Sequence, residues 1–130
     1  MKKLLSIVLA ALMCVSLVVL ASCDTPTEDD GKYLVGICQL VQHDALDAAT
    51  NGFMDALEEK LGDKIQFNLQ NAAGDSATCS TITTQFVADD VDLILANATP
   101  ALQAALAATD STPIVATSIT DFATDRKSVV

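Results

Sequence analysis

The chain has no tryptophan, one tyrosine and one histidine in 130 residues, and only seven lysines and arginines against 17 acidic residues. Each scarcity excludes something. A single histidine, His43, cannot form the paired ligands of a zinc hydrolase. As a catalytic base it would need a nucleophile or an acidic partner, and no G-x-S-x-G elbow is present. Neither a Walker A loop nor G-x-G-x-x-G follows the first apolar run, which removes the common nucleotide cradles. The acidic balance leaves no basic footprint for nucleic acid. Catalysis, a metal and a cofactor are therefore not expected.

What is present begins with a leader. Lys2 and Lys3 precede an apolar run from Leu4 to Leu20, which ends at the small residues Ala21 and Ser22 before Cys23. This is the charged n-region and apolar h-region of an export signal. "LASC" resembles the lipobox of bacterial lipoproteins, where cleavage precedes a lipid-modified cysteine. Residues 1–22 are read as a lipoprotein signal peptide, Cys23 as the lipidation site and residues 23–31, "CDTPTEDDG", as a polar tether. A retained transmembrane anchor is the alternative. The run's place at the extreme N-terminus, with no basic cluster after it, counts against that. Loss of Lys2 and Lys3 would leave five basic residues against 17 acids, a formal charge of −12. The protein is expected on the extracytoplasmic face of the cell membrane, held by a lipid anchor.

Beyond the tether two textures alternate. Short apolar runs stand at Tyr33–Cys38, Ile65–Leu69, Val91–Ala96 and Pro113–Thr117. Three are nearly continuous, as for strands covered on both faces; "IQFNL" alternates, as for a strand with one more exposed face. Between them, Leu46, Ala49, Phe53, Leu57 and Leu61 recur at helical spacing, with Asp44 as the expected cap and Gly62 as the stop. A second helix is expected from Asp75 or Ser76, with Cys79, Ile82, Phe86 and Val87 inward despite its poor helix-forming threonines. A third opens at "TPALQAALAA", with Thr99 as N-cap and Pro100 at the first helical position. Strand–helix alternation with short connections predicts an α/β fold: a three-layer parallel sheet with helices on both faces. Cys38 closes one apolar run and Cys79 lies on a helical stripe, so both are read as buried free thiols; export leaves a disulfide open as the alternative.

In such a sheet ligands bind beyond the carboxyl ends of the strands. The segments there are Gln39–Ala45, Gln70–Ser76, Asn97–Pro100 and Ser118–Phe122, and none contains lysine or arginine. Small hydrogen-bonding groups without cations suit a neutral or zwitterionic solute. A carboxylate would find N–H donors at the helix start near Thr99, and an ammonium would find Asp121. His43 is read as a polar contact or helix-start residue rather than a catalyst.

"GICQLVQHDALDAATNGFMDAL", the stretch "NAAGDSATCSTITTQFVADDVDLILANATPALQAA" and "PIVATSITDF" together resemble the N-terminal lobe of substrate-binding lipoproteins of bacterial ABC importers, in the TrpX-like branch with the type I periplasmic-binding-protein fold. The likeness covers residues 32–122, one solute-binding lobe. It implies an extracytoplasmic receptor that binds a small solute, an amino acid and by its branch an aromatic one, for delivery to an ABC permease and its ATPase. It carries over Gln42 and His43 from the first loop, Asn97, Ala98 and Thr99 from the loop after the third strand, and Thr117, Ser118 and Asp121 from the loop after the fourth, as ligand contacts. Family members continue past "TDF" into a second lobe. Here residues 123–130, "ATDRKSVV", depart from the pattern and are read as an irregular, non-native tail of a truncated lobe. Two other functions remain open: a membrane-anchored sensory receptor of the same fold, and a surface-anchored flavodoxin-like enzyme.

Overall fold

The computed structural model describes residues 31–120. The leader, Cys23, the tether and Asp121 onward lie outside the described residues. Four strands form one parallel sheet: β1 (Tyr33–Gln39), β2 (Ile65–Asn71), β3 (Leu93–Asn97) and β4 (Ile114–Thr117), in the order β2-β1-β3-β4. Helices α1 (Asp44–Leu61), α2 (Ser76–Ala88) and α3 (Thr99–Ala108) make the crossovers, and a 3-10 turn, Gly62–Lys64, follows α1. Among the described residues no helix is long and apolar enough to cross a membrane.

The central strand β1 carries two cores, one per face, because successive side chains point to opposite sides. On one side Val35, Ile37 and Leu95 are buried beneath Phe53, Met54 and Leu57 of α1. On the other, Cys38, Ile94 and Ala96 pack with Cys79 and Phe86 of α2 and with Ala101, Leu102 and Ala105 of α3. Gly36 belongs to this second face for a steric reason. A Cβ there would lie 2.6 Å from Phe86 Cδ2, so the ring of Phe86 rests directly on the strand backbone. β2 has the greater exposure its alternation predicts, and it lies at one edge of the sheet.

In the threonine-rich α2 the hydroxyls bond back to carbonyls of their own helix. Thr81, Thr83 and Thr84 donate to the carbonyls of Ala77, Cys79 and Ser80 at 3.2, 2.9 and 2.8 Å. Asp75 caps it, accepting from Ala77 N and from Thr78 N and Oγ1 at 3.4, 2.9 and 2.6 Å. Those hydrogen bonds, the Thr78 hydroxyl foremost, lower the Asp75 carboxyl below its ordinary range.

Three sequence expectations need correction. His43, not Asp44, is the N-cap of α1: its backbone is extended and its Nδ1 accepts from Ala45 N at 3.2 Å. The third strand starts at Leu93 rather than Val91. Asp92 just before it is tied to the start of β1, its carboxylate accepting from Leu34 N at 2.8 Å and its N–H donating to Leu34 O at 2.8 Å. Thr99 is the first residue of α3 rather than its N-cap, a consequence of an unusual backbone turn at Ala98.

Candidate functional site

The sequence patterns end each strand on a polar residue, and the parallel register gathers all four into one row. Gln39 pairs with Asn71 on one side and Asn97 on the other, and Asn97 pairs with Thr117. The strand order reverses direction between β1 and β3, since β1 leads to β2 and β3 leads to β4. Their carboxyl ends flank the crevice where open α/β sheets bind ligands.

The two middle residues of the row hold the first loop in place from beneath. Gln39 and Asn97 are both buried and lie on the face covered by α1. Asn97 Nδ2 donates to Leu46 O at 2.8 Å and to Thr50 Oγ1 at 2.9 Å. Thr50 Oγ1 donates onward to Gln39 Oε1 at 2.7 Å. Gln39 Nε2 donates to Val41 O at 3.0 Å and to the Asp47 carboxylate. The chain of donors therefore runs from β3 through the first turns of α1 to β1 and its loop. A buried set of this kind is costly to leave incomplete. Of the buried side-chain polar atoms among the described residues, only Asn97 Oδ1 has no partner.

Backbone bonds stitch the loops to one another. Leu40 N donates to Asn97 O at 3.2 Å, Ala72 N to Gln39 O at 2.9 Å, Gly74 N to Leu40 O at 2.7 Å and Ala98 N to Thr117 O at 3.0 Å. Ala98 pays for its place with a φ of 101° and ψ of 157°, a region that glycine occupies and other residues avoid. It is fixed there because its N–H serves Thr117 while its carbonyl accepts from Leu102 N at 3.1 Å. The turn aims the start of α3 at the crevice. No side chain caps that helix. Thr99 Oγ1 instead accepts from Thr120 N at 3.3 Å, which ties α3 to the segment after β4.

The residues expected at the site thus fall on one edge but differ in role. Gln42 and His43 are exposed on the β1–α1 loop. With Nδ1 accepting as a cap, His43 has Nε2–H as its donor toward the edge. Ala98 and Thr99 form the start of α3, Thr117 ends β4, and Ser118 follows it, exposed at a φ of 59°. Asn97 is fully buried, with its amide spent on α1. Asp121 lies outside the described residues. Sequence reasoning missed Gln39, Thr50, Asp47 and Asn71. The first three carry the network. Gln39, Asp47, Thr50 and Asn71 also line, with Gln42, Asn51 and Leu69, an open recess of about 440 Å³ beside the first loop. The available signal was that every buried strand ends on a polar residue. Among the described residues no group of three or more His, Cys, Asp or Glu could hold a metal ion.

Comparison with known proteins agrees with this arrangement. A family model described as "ABC transporter substrate binding protein" matches residues 34–126. A curated "Tyrosine-binding protein" of Clostridioides difficile (strain R20291) is 41% identical, over 92% of this chain and 38% of its own length. Among solved structures, the ligand-free, open form of a substrate-binding protein with adhesive properties from Clostridium difficile is similar at a TM-score of 0.66 and 43% identity, over 68% of this chain and 31% of that one. A domain from Streptococcus pneumonia in complex with L-Trp is similar at 0.65 and 34% identity, over 69% and 31%. The chain spans well under half the length of these relatives.

Proposed function

The chain belongs to the ABC transporter substrate-binding protein family, with a lobe of the type I periplasmic-binding-protein fold, and from that premise we propose that residues 31–120 form one wall of a cleft for an amino acid, aromatic or branched. Family members work outside the cytoplasm. The observation that carries the solute class is the carboxyl edge of the sheet. It offers the Nε2–H of His43, the Gln42 amide, the Thr117 and Ser118 hydroxyls and an uncapped helix start, with no lysine or arginine. A zwitterion suits such an edge. Its carboxylate meets N–H dipoles at α3, where a fixed partial positive charge receives an anion without a salt bridge. The names of two relatives, one tyrosine-binding and one solved with L-Trp, support an aromatic side chain. Among the described residues the edge has no phenylalanine, tyrosine or tryptophan, which leaves ring contacts to Phe122 or to a second lobe closing over it. Gln42, His43, Ala98, Thr99, Thr117, Ser118 and Asp121 are proposed as contacts, with Asn97 acting through its backbone and its hold on α1. Among the described residues nothing at the edge pairs a nucleophile with a base, and delivery to a permease powered by a separate ATPase is the corresponding partner proposal.

The test is a chimera in which residues 31–120 replace the matching segment of the tyrosine-binding relative. Melting curves with each of the twenty amino acids should shift upward for an aromatic or branched one. At a hundredfold excess over Kd the gain is about 2.7 kcal/mol. Flat curves for all twenty, from a chimera that melts cooperatively, would sink the proposal. Membrane attachment through Cys23 is tested separately: radiolabelled palmitate should enter the wild-type chain and not Cys23→Ala.

A further inference from the structure

Two cysteines far apart in sequence meet in the interior, where the proposed solute site makes no use of them. Cys38 is the penultimate residue of β1, and Cys79 lies in the first turn of α2. Both are fully buried in the same core cluster and both are free. Each thiol lies close enough to the other to perturb its ionisation. Two buried thiols in one cluster, one on a strand and one on the helix packed against it, need only bring their sulfurs together to bond.

We propose that Cys38 and Cys79 form a disulfide when the protein folds in an oxidising compartment, fastening the end of β1 to the start of α2. The two thiols lose two protons and two electrons. The oxidant is a low-molecular-weight disulfide, which is reduced to two thiols by way of a mixed disulfide on one cysteine. The bond would lock the strand one residue before Gln39, and with it the root of the first loop. Its formation belongs to folding. In the native chain burial, and next the neighbouring sulfur, push the Cys38 thiol up to about 12, so almost no thiolate is present to react. Burial raises Cys79 as well. The same burial shields a bond already made from reductants. This inference does not depend on which solute the protein binds.

Trypsin offers a direct test, because the lysines and arginines place the cysteines on separate peptides. Cys14 and Cys23 fall on Leu4–Lys32, Cys38 on Tyr33–Lys60 and Cys79 on Ile65–Arg126. The full chain, reduced and denatured, is refolded in an oxidised and reduced glutathione mixture, blocked with N-ethylmaleimide and digested. The expected result is one dominant species joining Tyr33–Lys60 to Ile65–Arg126. It should melt at least about 10 °C above the reduced chain, a shift that Cys79→Ala abolishes. The folded, reduced chain, given the same mixture, should form the bond at least about a hundredfold more slowly than the refolding chain, since the thiols must first be uncovered. Recovery of both peptides as maleimide adducts after refolding, or preferential joining of either to Leu4–Lys32, overturns the proposal.

Discussion

The two faces of the sheet are built on opposite principles. The face under α2 and α3 is dry and closely fitted: Phe86 lies on Gly36, and alanines at 101, 104 and 105 let α3 approach the strands. The face under α1 has only Val35, Ile37 and Leu95 fully buried, and gives way at its carboxyl end to Gln39, Thr50 and Asn97. The first face supplies stability through burial at roughly 25 cal/mol per Å² of apolar surface. The second gives up some apolar burial to hold a loop in one position. A lobe that must present a fixed edge to a solute needs both, and it keeps them on separate sides of one sheet.

Phe86→Ala should remove the centre of the dry face and cost about 3–5 kcal/mol in denaturant unfolding. Gly36→Ala should cost about 1–3 kcal/mol, because the added methyl has no space beneath the ring. In a double-mutant cycle the glycine penalty should shrink sharply in the Phe86→Ala background. An undiminished penalty would mean that Gly36 is required for its backbone and not for the ring.

On the other face Thr50→Val keeps the shape and deletes the middle of the donor chain, leaving Gln39 Oε1 and one Asn97 N–H unpaired. A loss of about 1–3 kcal/mol is expected. The contrast with Phe86→Ala lies in where the damage appears. Hydrogen exchange should quicken in Val41–Asp47 on losing Thr50, while the strands keep their protection relative to global stability. Uniform loss of protection would erase the distinction between the two faces.

Ala98→Gly probes the turn between the faces. Glycine relieves the positive φ, which favours the native state, and frees the unfolded chain, which disfavours it. The expected net gain is about 1 kcal/mol in melting experiments. A loss would show that the methyl's burial outweighs the strain.

Much of this was legible in the sequence and some was not. Four strands, three helices and the α/β class follow from apolar runs and periodicity, because burial on two faces or one leaves a direct mark on composition. The row Asn71–Gln39–Asn97–Thr117 does not, since it depends on register, and parallel register is set by packing between segments distant in sequence. Thr50 stood within the inward stripe of α1 between Leu46 and Phe53, but a threonine there has no visible partner until Asn97 is placed beside it. The Ala98 turn has no residue signature, because alanine is not what such a φ favours. The meeting of Cys38 and Cys79 required α2 to be laid across β1.

The smallest expected effect concerns the entry to the dry face. Asp75 caps α2, and its carboxyl is lowered first by the Thr78 hydroxyl and then by backbone N–H groups. A group depressed in the folded state stabilises it above the unfolded pKa, and that contribution disappears as pH falls through the folded value. The melting temperature should therefore decline on acidification below the ordinary carboxylate range, and Asp75→Asn should flatten part of that decline while lowering the plateau slightly. The sheet face beneath α1 offers a control. Thr50→Val removes no ionisable group, so its melting curve should keep the acid slope of the wild type. If Thr50→Val flattened that slope as much as Asp75→Asn, the acid sensitivity would not belong to the Asp75 cap, and the dry face would not set the limit of stability in acid.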